Sequence, residues 1–283
     1  MKIGVSSYSF ANYIKNEKCD YIKICDLAKE MGFDGIEFIA LEDSYFNITT
    51  DPKACAAEIR AHCESIGLEI CAYTVGADIF NKRGEAVKSV CAHIDVAKIL
   101  GAPVVRFDVC YSMPSEHLTS YRTAIDVMVP YIREIADYAE SNGIRVCTEN
   151  HGYIFQAPER VEELILAVNH KNYGWLCDMG NFMCVGAEPA RSVAIAAPYT
   201  FHAHAKDFIF KSGDEGAVSG FIPTSDGNYI RGTVIGHGVV PVKRCVNILK
   251  NAGYDGWLSV EFEGWEDCIK AIKAGFANLK ALI

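Results

Sequence analysis

The chain has 283 residues, half of them hydrophobic and 22% charged, a balance that can bury a large core and excludes a disordered or fibrous chain. Its formal net charge of -9 argues against nucleic acid as a partner, because such binders carry a basic stripe. No apolar run approaches the roughly 20 residues that span a bilayer, and the opening "MKIGVSSYSF" lacks the pattern of an export signal, so no membrane partner and a cytoplasmic location are expected.

In chain order, "KIGVSSY" (Lys2–Tyr8) predicts a first strand, and Asp20–Met31 a helix stopped by Gly32. Strand "DGIEFIA" (Asp34–Ala40) precedes helix Asp51–Ile66, and strand "LEICAYTV" (Leu68–Val75) precedes helix Arg83–Leu100. The fourth strand, "PVVRFDV" (Pro103–Val109), leads into a long helix running through Ser141. Next come "IRVCTEN" (Ile144–Asn150) with helix Pro158–His170, and "YGWLCDMG" (Tyr173–Gly180) with a short Ala-rich helix. The seventh strand runs through "TFHAHAKDF" (Thr200–Phe208). Helix Pro241–Ala252, strand "GWLSVEFE" (Gly256–Glu263) and a closing helix complete the series. Eight strand–helix units without a Pro/Ser-rich linker predict the α/β class and one (β/α)8 TIM barrel over residues 1–283. An open doubly wound sheet is the rival, and neither a G-x-G-x-x-G nor a P-loop supports it.

The rhythm breaks between Asp207 and Gly236, a stretch rich in Gly, Ser, Asp and aromatics. It predicts a long loop after strand seven, serving as a lid or an oligomer contact. Twelve cysteines lie scattered through apolar runs with no C-x-x-C pair, and are expected to be reduced and buried.

Active sites of such barrels lie at the C-terminal strand ends. Strands five to eight deliver Glu149, Asp178, His204 and Glu261 there, one group of ligand type per strand. Any one of them alone reads as a cap, rim or core residue. Four in register do not, because acids aimed into one mouth repel each other without a cation. Three carboxylates and an imidazole suit a divalent ion with open positions; a structural zinc site would favour thiolates.

The segments "TENHG", "CDMGN", "HAHAKD", "GHGVVP" and "LSVEFEG" resemble the xylose isomerase-like TIM-barrel superfamily, in order along essentially the whole chain. The resemblance implies that Glu149, Asp178, His204 and Glu261 are metal ligands, with His204 the ligand of its pair and His202 orienting a neighbour or the substrate. It implies one divalent ion, Mn2+ in first place with Mg2+, Co2+ or Zn2+ as alternatives. Many relatives carry D-x-x-H on strand six where this chain has "DMGN", so Asn181 stands at a substrate-contacting position. The missing histidine also removes ligands that a trinuclear zinc nuclease needs.

Such a site supports proton transfer next to a carbonyl. Glu149 and Glu261, acting on two faces of a sugar or keto-sugar, would give an epimerase, and a single shuttling base an isomerase, through an enediolate. His151, which shares strand parity with Glu149, reads equally as a general base or a rim residue. As a base it would permit a lyase or dehydratase acting on a keto-sugar, inosose or oxidised glycoside, the alternative to the isomerase or epimerase. A silent sugar-binding barrel is the non-enzyme reading. Glu37, Arg106, Lys206 and Asn181 are expected at the substrate with His202, although Arg106 could equally pair with Asp108 as scaffold. Tyr8, Phe10, Trp257 and Trp265 read as apolar walls or plain core. The expected partner is a small sugar, with a homo-oligomer left open.

Overall fold

The computed structural model describes residues 1–42, 49–113 and 120–283. Seven parallel strands, β1 (Lys2–Ser6), β2 (Gly35–Ile39), β3 (Glu69–Val75), β4 (Val104–Phe107), β5 (Arg145–Glu149), β6 (Tyr173–Asp178) and β7 (Thr200–Ala205), follow the predicted order. A three-stranded antiparallel excursion, β8 (Asp207–Lys211), β9 (Ile222–Pro223) and β10 (Tyr229–Thr233), precedes the last barrel strand, β11 (Trp257–Val260). The barrel closes in the order β1-β11-β7-β6-β5-β4-β3-β2.

Local chemistry sets the helices around it. The Asp20 and Asp51 side chains accept from the third N–H beyond them, at Lys23 and Ala54, and so start the first two long helices. Gly32 and Gly101 end theirs at φ 93° and 88°, a conformation that side chains with a Cβ resist. Between helices and strands lies the main apolar core, while Ala72, Val104, Cys147 and Leu176 form a separate plug inside the barrel with Phe201 against it. Period-two alternation then fixes what stands above that plug. Leu176 is followed by Asp178, Cys147 by Glu149 and Val104 by Arg106, each two residues closer to the C-terminal mouth.

Residues 207–236 are not a structureless loop, which corrects the sequence expectation. β8 pairs with β10 from Asp207↔Thr233 to Lys211↔Tyr229, and β9 adds to the far side of β10. The hairpin is docked at several points. Gly232 bridges to Gly264 beyond β11, Thr233 Oγ1 donates to Glu266 at 2.6 Å, and Ser225 N donates to Cys184 O at 2.8 Å. Its base is cinched by Asp207, whose carboxylate accepts from the N–H groups of Phe208, Gly236, Gly238 and Val240 at 2.8–3.0 Å. The "GHGVVP" segment therefore serves as a row of donors to the aspartate of "HAKD".

Replacing Asp207 by Ala leaves those N–H groups without their charged acceptor, which should cost about 2–4 kcal/mol of unfolding free energy. Urea denaturation measures the loss. Hydrogen exchange should quicken across 207–240 before the barrel strands, and uniform loss of protection would show that Asp207 does not act locally.

Candidate metal centre

Glu149 ends β5, Asp178 ends β6, His204 lies in β7 and Glu261 follows β11, and each offers an atom to one group whose members lie within 4.8 Å of one another. Asp178 is split between two tasks. Its Oδ1 accepts from Gly180 N at 2.7 Å and Asn181 N at 2.9 Å, which leaves Oδ2 aimed at His204 Nδ1, 3.7 Å away. Asn150 steadies the β5–β6 junction: its Oδ1 accepts from Asp178 N and Trp175 Nε1, and its Nδ2 donates to Asp178 O. Ser9 does the same beside Glu261, donating to Val260 O and accepting from Phe262 N.

Beneath this layer, Glu37 is fully buried between two imidazoles. Its Oε2 lies 2.6 Å from His202 Nε2 and its Oε1 2.8 Å from His204 Nε2. Ser259 Oγ is 3.1 Å from the same His202 nitrogen. With Nε2 of His204 facing Glu37, Nδ1 is the nitrogen that faces the carboxylates, 3.4 Å from Glu261 and 3.9 Å from Glu149.

The residues fit a divalent cation. Asp178 Oδ2 and His204 Nδ1 are both buried and make no well-aligned hydrogen bond, their nearest charged neighbours being Lys206 Nζ at 3.2 Å and Glu261 Oε2 at 3.4 Å, and they share one donor group with two further carboxylates. Hard oxygen donors with a single imidazole are the set for Mg2+, Mn2+, Co2+ or Zn2+. The electrostatics show the same need for positive charge. Burial opposes charge on His204, but Glu37 and Glu261 outweigh it and push the imidazole's pKa well above its ordinary value. Burial likewise works against Lys206, yet Asp178, Glu261 and Glu263 hold it protonated; its Nζ lies 3.2, 2.5 and 3.3 Å from them. Burial raises the Glu149 carboxyl, and Arg106 and His204 only partly offset it. The Glu261 carboxyl, which burial would raise, is held well below the usual range by Lys206 and His204.

A cavity of about 280 Å3 opens above the donor group. Arg106 borders it, bonded to Asp108 at 2.6 Å and to Glu149 at 2.8 Å, so the scaffold reading describes its contacts. His151 also borders it, with a side chain 46% exposed and Nδ1 3.0 Å from Asp108 Oδ1. Burial lowers the His151 pKa, but the Asp108 carboxylate reverses the effect and leaves it raised. Tyr111 donates to the other Asp108 oxygen at 2.6 Å.

Several predicted substrate contacts lie outside the lining of this cavity. Glu37 and His202 are fully buried and bonded to each other, so neither reaches the cavity. Asn181, 4% exposed, donates to Glu149 Oε1 at 2.8 Å and accepts from Lys206, and thus orients Glu149 instead of lining the cavity. Phe10 is core. Trp257 sits at the opposite barrel end beside Gly35 and Lys2, and Trp265 packs on the hairpin against Gly220 and Arg231. Of the four aromatics, Tyr8 borders the cavity. Sequence reasoning missed Tyr111, Glu263, the bracing pair Asn150 and Ser9, and Ser259 beside His202; strand parity signals Ser259 and Glu263, which share a face with Glu261.

A model of the xylose isomerase-like TIM barrel family matches residues 25–282. The chain belongs to that family. Within it, a 140-residue stretch is 30% identical to the rhizopine catabolism protein MocC of Rhizobium meliloti, covering 47% of this chain and 42% of that protein. A 136-residue stretch is 26% identical to inosose dehydratase 1 of Bacillus cereus, covering 47% and 45%. These matches thus span under half the length of either relative. Among solved structures, D-psicose 3-epimerase from Clostridium cellulolyticum H10, in complex with D-tagatose, superposes with a TM-score of 0.75 at 16% identity, over 100% of this chain and 99% of that one. The family's barrel is therefore shared with proteins named for both epimerisation and dehydration.

The two imidazoles should separate in a metal titration. His204→Ala removes a donor atom and should abolish stoichiometric binding of Mn2+. His202→Ala removes a brace and should weaken affinity about 10–100-fold while stoichiometry is kept. Elemental analysis after dialysis reads both, and equal losses would mean that His202 is itself a ligand.

Proposed function

We propose that this barrel is a metal-dependent lyase or dehydratase that removes a proton next to the carbonyl of a keto-sugar or keto-cyclitol and then expels a β-substituent. The observation that carries the reading is His151: it opens to the cavity beside the donor group with Asp108 behind its Nδ1, while Glu149 and Glu261 are both tied to cations. The similarity to an inosose dehydratase supports it.

One divalent ion, with Mn2+ our first choice, would be held by Glu149, Asp178, His204 and Glu261. It would polarise the carbonyl and stabilise negative charge on its oxygen. His151 Nε2 takes the α-proton, with Asp108 stabilising the imidazolium. The C–H electron pair moves into the bond toward the carbonyl carbon; as the carbonyl re-forms, the β C–O bond breaks, its electron pair leaves with the departing oxygen, and a conjugated enone remains. Lys206, an ammonium at the cavity wall, is the group placed to protonate the departing hydroxyl or aglycone. The docked hairpin would wall the mouth and limit water. No helix among the described residues is long and apolar enough to cross a membrane, and the described cysteines are all free, in keeping with a reducing cytoplasm.

Isomerase or epimerase is the second reading. It rests on Glu149 and Glu261 reaching the donor group from strands that are not neighbours in the barrel. In that case the same carbanion is reprotonated on its other face by a carboxyl of the donor group in its protonated form, and the carboxylate so formed takes the next α-proton.

With the Mn2+-loaded protein and an inosose or 3-keto-glycoside in deuterated water, we expect enone absorbance and release of water or aglycone, with no deuterium in recovered substrate. Deuterium in recovered substrate and an isomeric ketose without enone would replace this reading by the second. His151→Ala should lower turnover by about 10²–10⁴-fold at unchanged metal content. Full activity in that variant would remove His151 from the mechanism.

A further inference from the structure

We infer that the substrate of this site is electrically neutral, without phosphate or carboxylate, and that Glu263 is the residue that enforces this choice. The inference rests on the function proposed above and adds the charge class of its substrate. An anionic sugar needs an unpaired cation or an anion-binding backbone at its charged end. Among the described residues, the permanent cations bordering the cavity are Arg106 and Lys206. Both are already committed, Arg106 to Asp108 and Glu149, and Lys206 to Asp178, Glu261 and Glu263. The two undescribed stretches, 43–48 and 114–119, contain neither Lys nor Arg. The four bordering carboxylates, Asp108, Glu149, Glu261 and Glu263, therefore balance the charge of Arg106, Lys206 and a divalent ion, and neither side chain is left as an unpaired cation for an anionic group.

Glu263 differs from the other acids. It is not in the donor group, yet it borders the cavity, is one third exposed (33%) where Lys206 is buried, and lies 3.3 Å from the Lys206 ammonium. The bridge from Gly232 to Gly264 holds its backbone in place. A phosphate approaching Lys206 would meet that carboxylate first. Ile39 and Val75 also line the cavity and give it apolar surface suited to the C–H face of an uncharged ring.

The test is binding, so that it does not depend on turnover. Isothermal titration on the Mn2+-loaded protein compares myo-inositol with its monophosphate, and methyl glucoside with methyl glucuronide. The neutral member should bind at least tenfold more tightly in each pair, and the ratio should shrink as salt is raised. Glu263→Gln should narrow the ratio several-fold, and Glu263→Lys should narrow it further or invert it. Equal or tighter binding of the charged members, no binding of either neutral member, or a ratio unmoved in both variants would overturn the inference. Failure of the proposed reaction would appear separately, as absence of enone and of deuterium exchange with bound neutral ketones.

Discussion

Carboxylates from β5 and β6, and one just past β11, point into one volume that water barely reaches, with a fourth from β2 buried beneath them, and at such range like charges in a low-dielectric site repel strongly. Every other feature of the mouth can be read as an answer to that repulsion. Glu37 is neutralised from below by the two histidines of β7. Glu149 leans on Arg106, and Glu261 and Asp178 on Lys206. These pairings let the barrel fold while its donor atoms stay aimed at a common point. Asp178 Oδ2 and His204 Nδ1, whose contacts to Lys206 and Glu261 are ionic and not well-aligned hydrogen bonds, mark the position where a divalent ion would supply what the side chains do not.

The same constraint explains why the scaffold above β7 is so heavily bonded. A mouth under electrostatic stress needs its strand ends fixed, and backbone N–H groups are the donors at hand. Asp207, immediately after Lys206, gathers four of them and thereby ties the start of the hairpin to its return. The hairpin crosses from Gly264 to Cys184 and is anchored at both sides. A segment so held acts more as a wall than as a free flap, which suits a cavity whose chemistry depends on a low dielectric.

Strand parity made much of this legible in the sequence. Because side chains alternate, the residue at each C-terminal strand end could be placed in the mouth from the sequence, and Glu149, Asp178, His204 and Glu261 do meet there. Depth was less legible. Glu37 and His202 have inward parity too, but one strand's end does not sit level with the next in a tilted barrel, and register shifts between Ile36 and Glu37 and between Trp175 and Leu176 move the levels further. Residues that looked substrate-facing therefore became the brace below. The hairpin was missed for another reason: Gly, Ser and Asp at 212–220 read as loop, while the pairing that orders β8 and β10 is long-range.

Two neighbouring strands carry complementary pairs, and this gives the proposed chemistry its geometry. On the β4 side the order toward the mouth is Arg106 then Asp108; on the β5 side it is Glu149 then His151. Arg106 bonds Glu149 and Asp108 bonds His151, with Arg106 also bonded to Asp108. A two-residue step along a strand is about 6.6–6.8 Å, so the ligand carboxylate and the imidazole are separated by roughly that rise wherever extended geometry holds. A carbonyl oxygen placed over the donor group would then leave its α-carbon on the His151 side of the cavity. Asp108 supports both halves at once: it holds the imidazole proposed above as the base, and it holds the guanidinium that bonds Glu149. A change at Asp108 would thus disturb base and ligand together, although it touches neither the ion's place nor the α-carbon's.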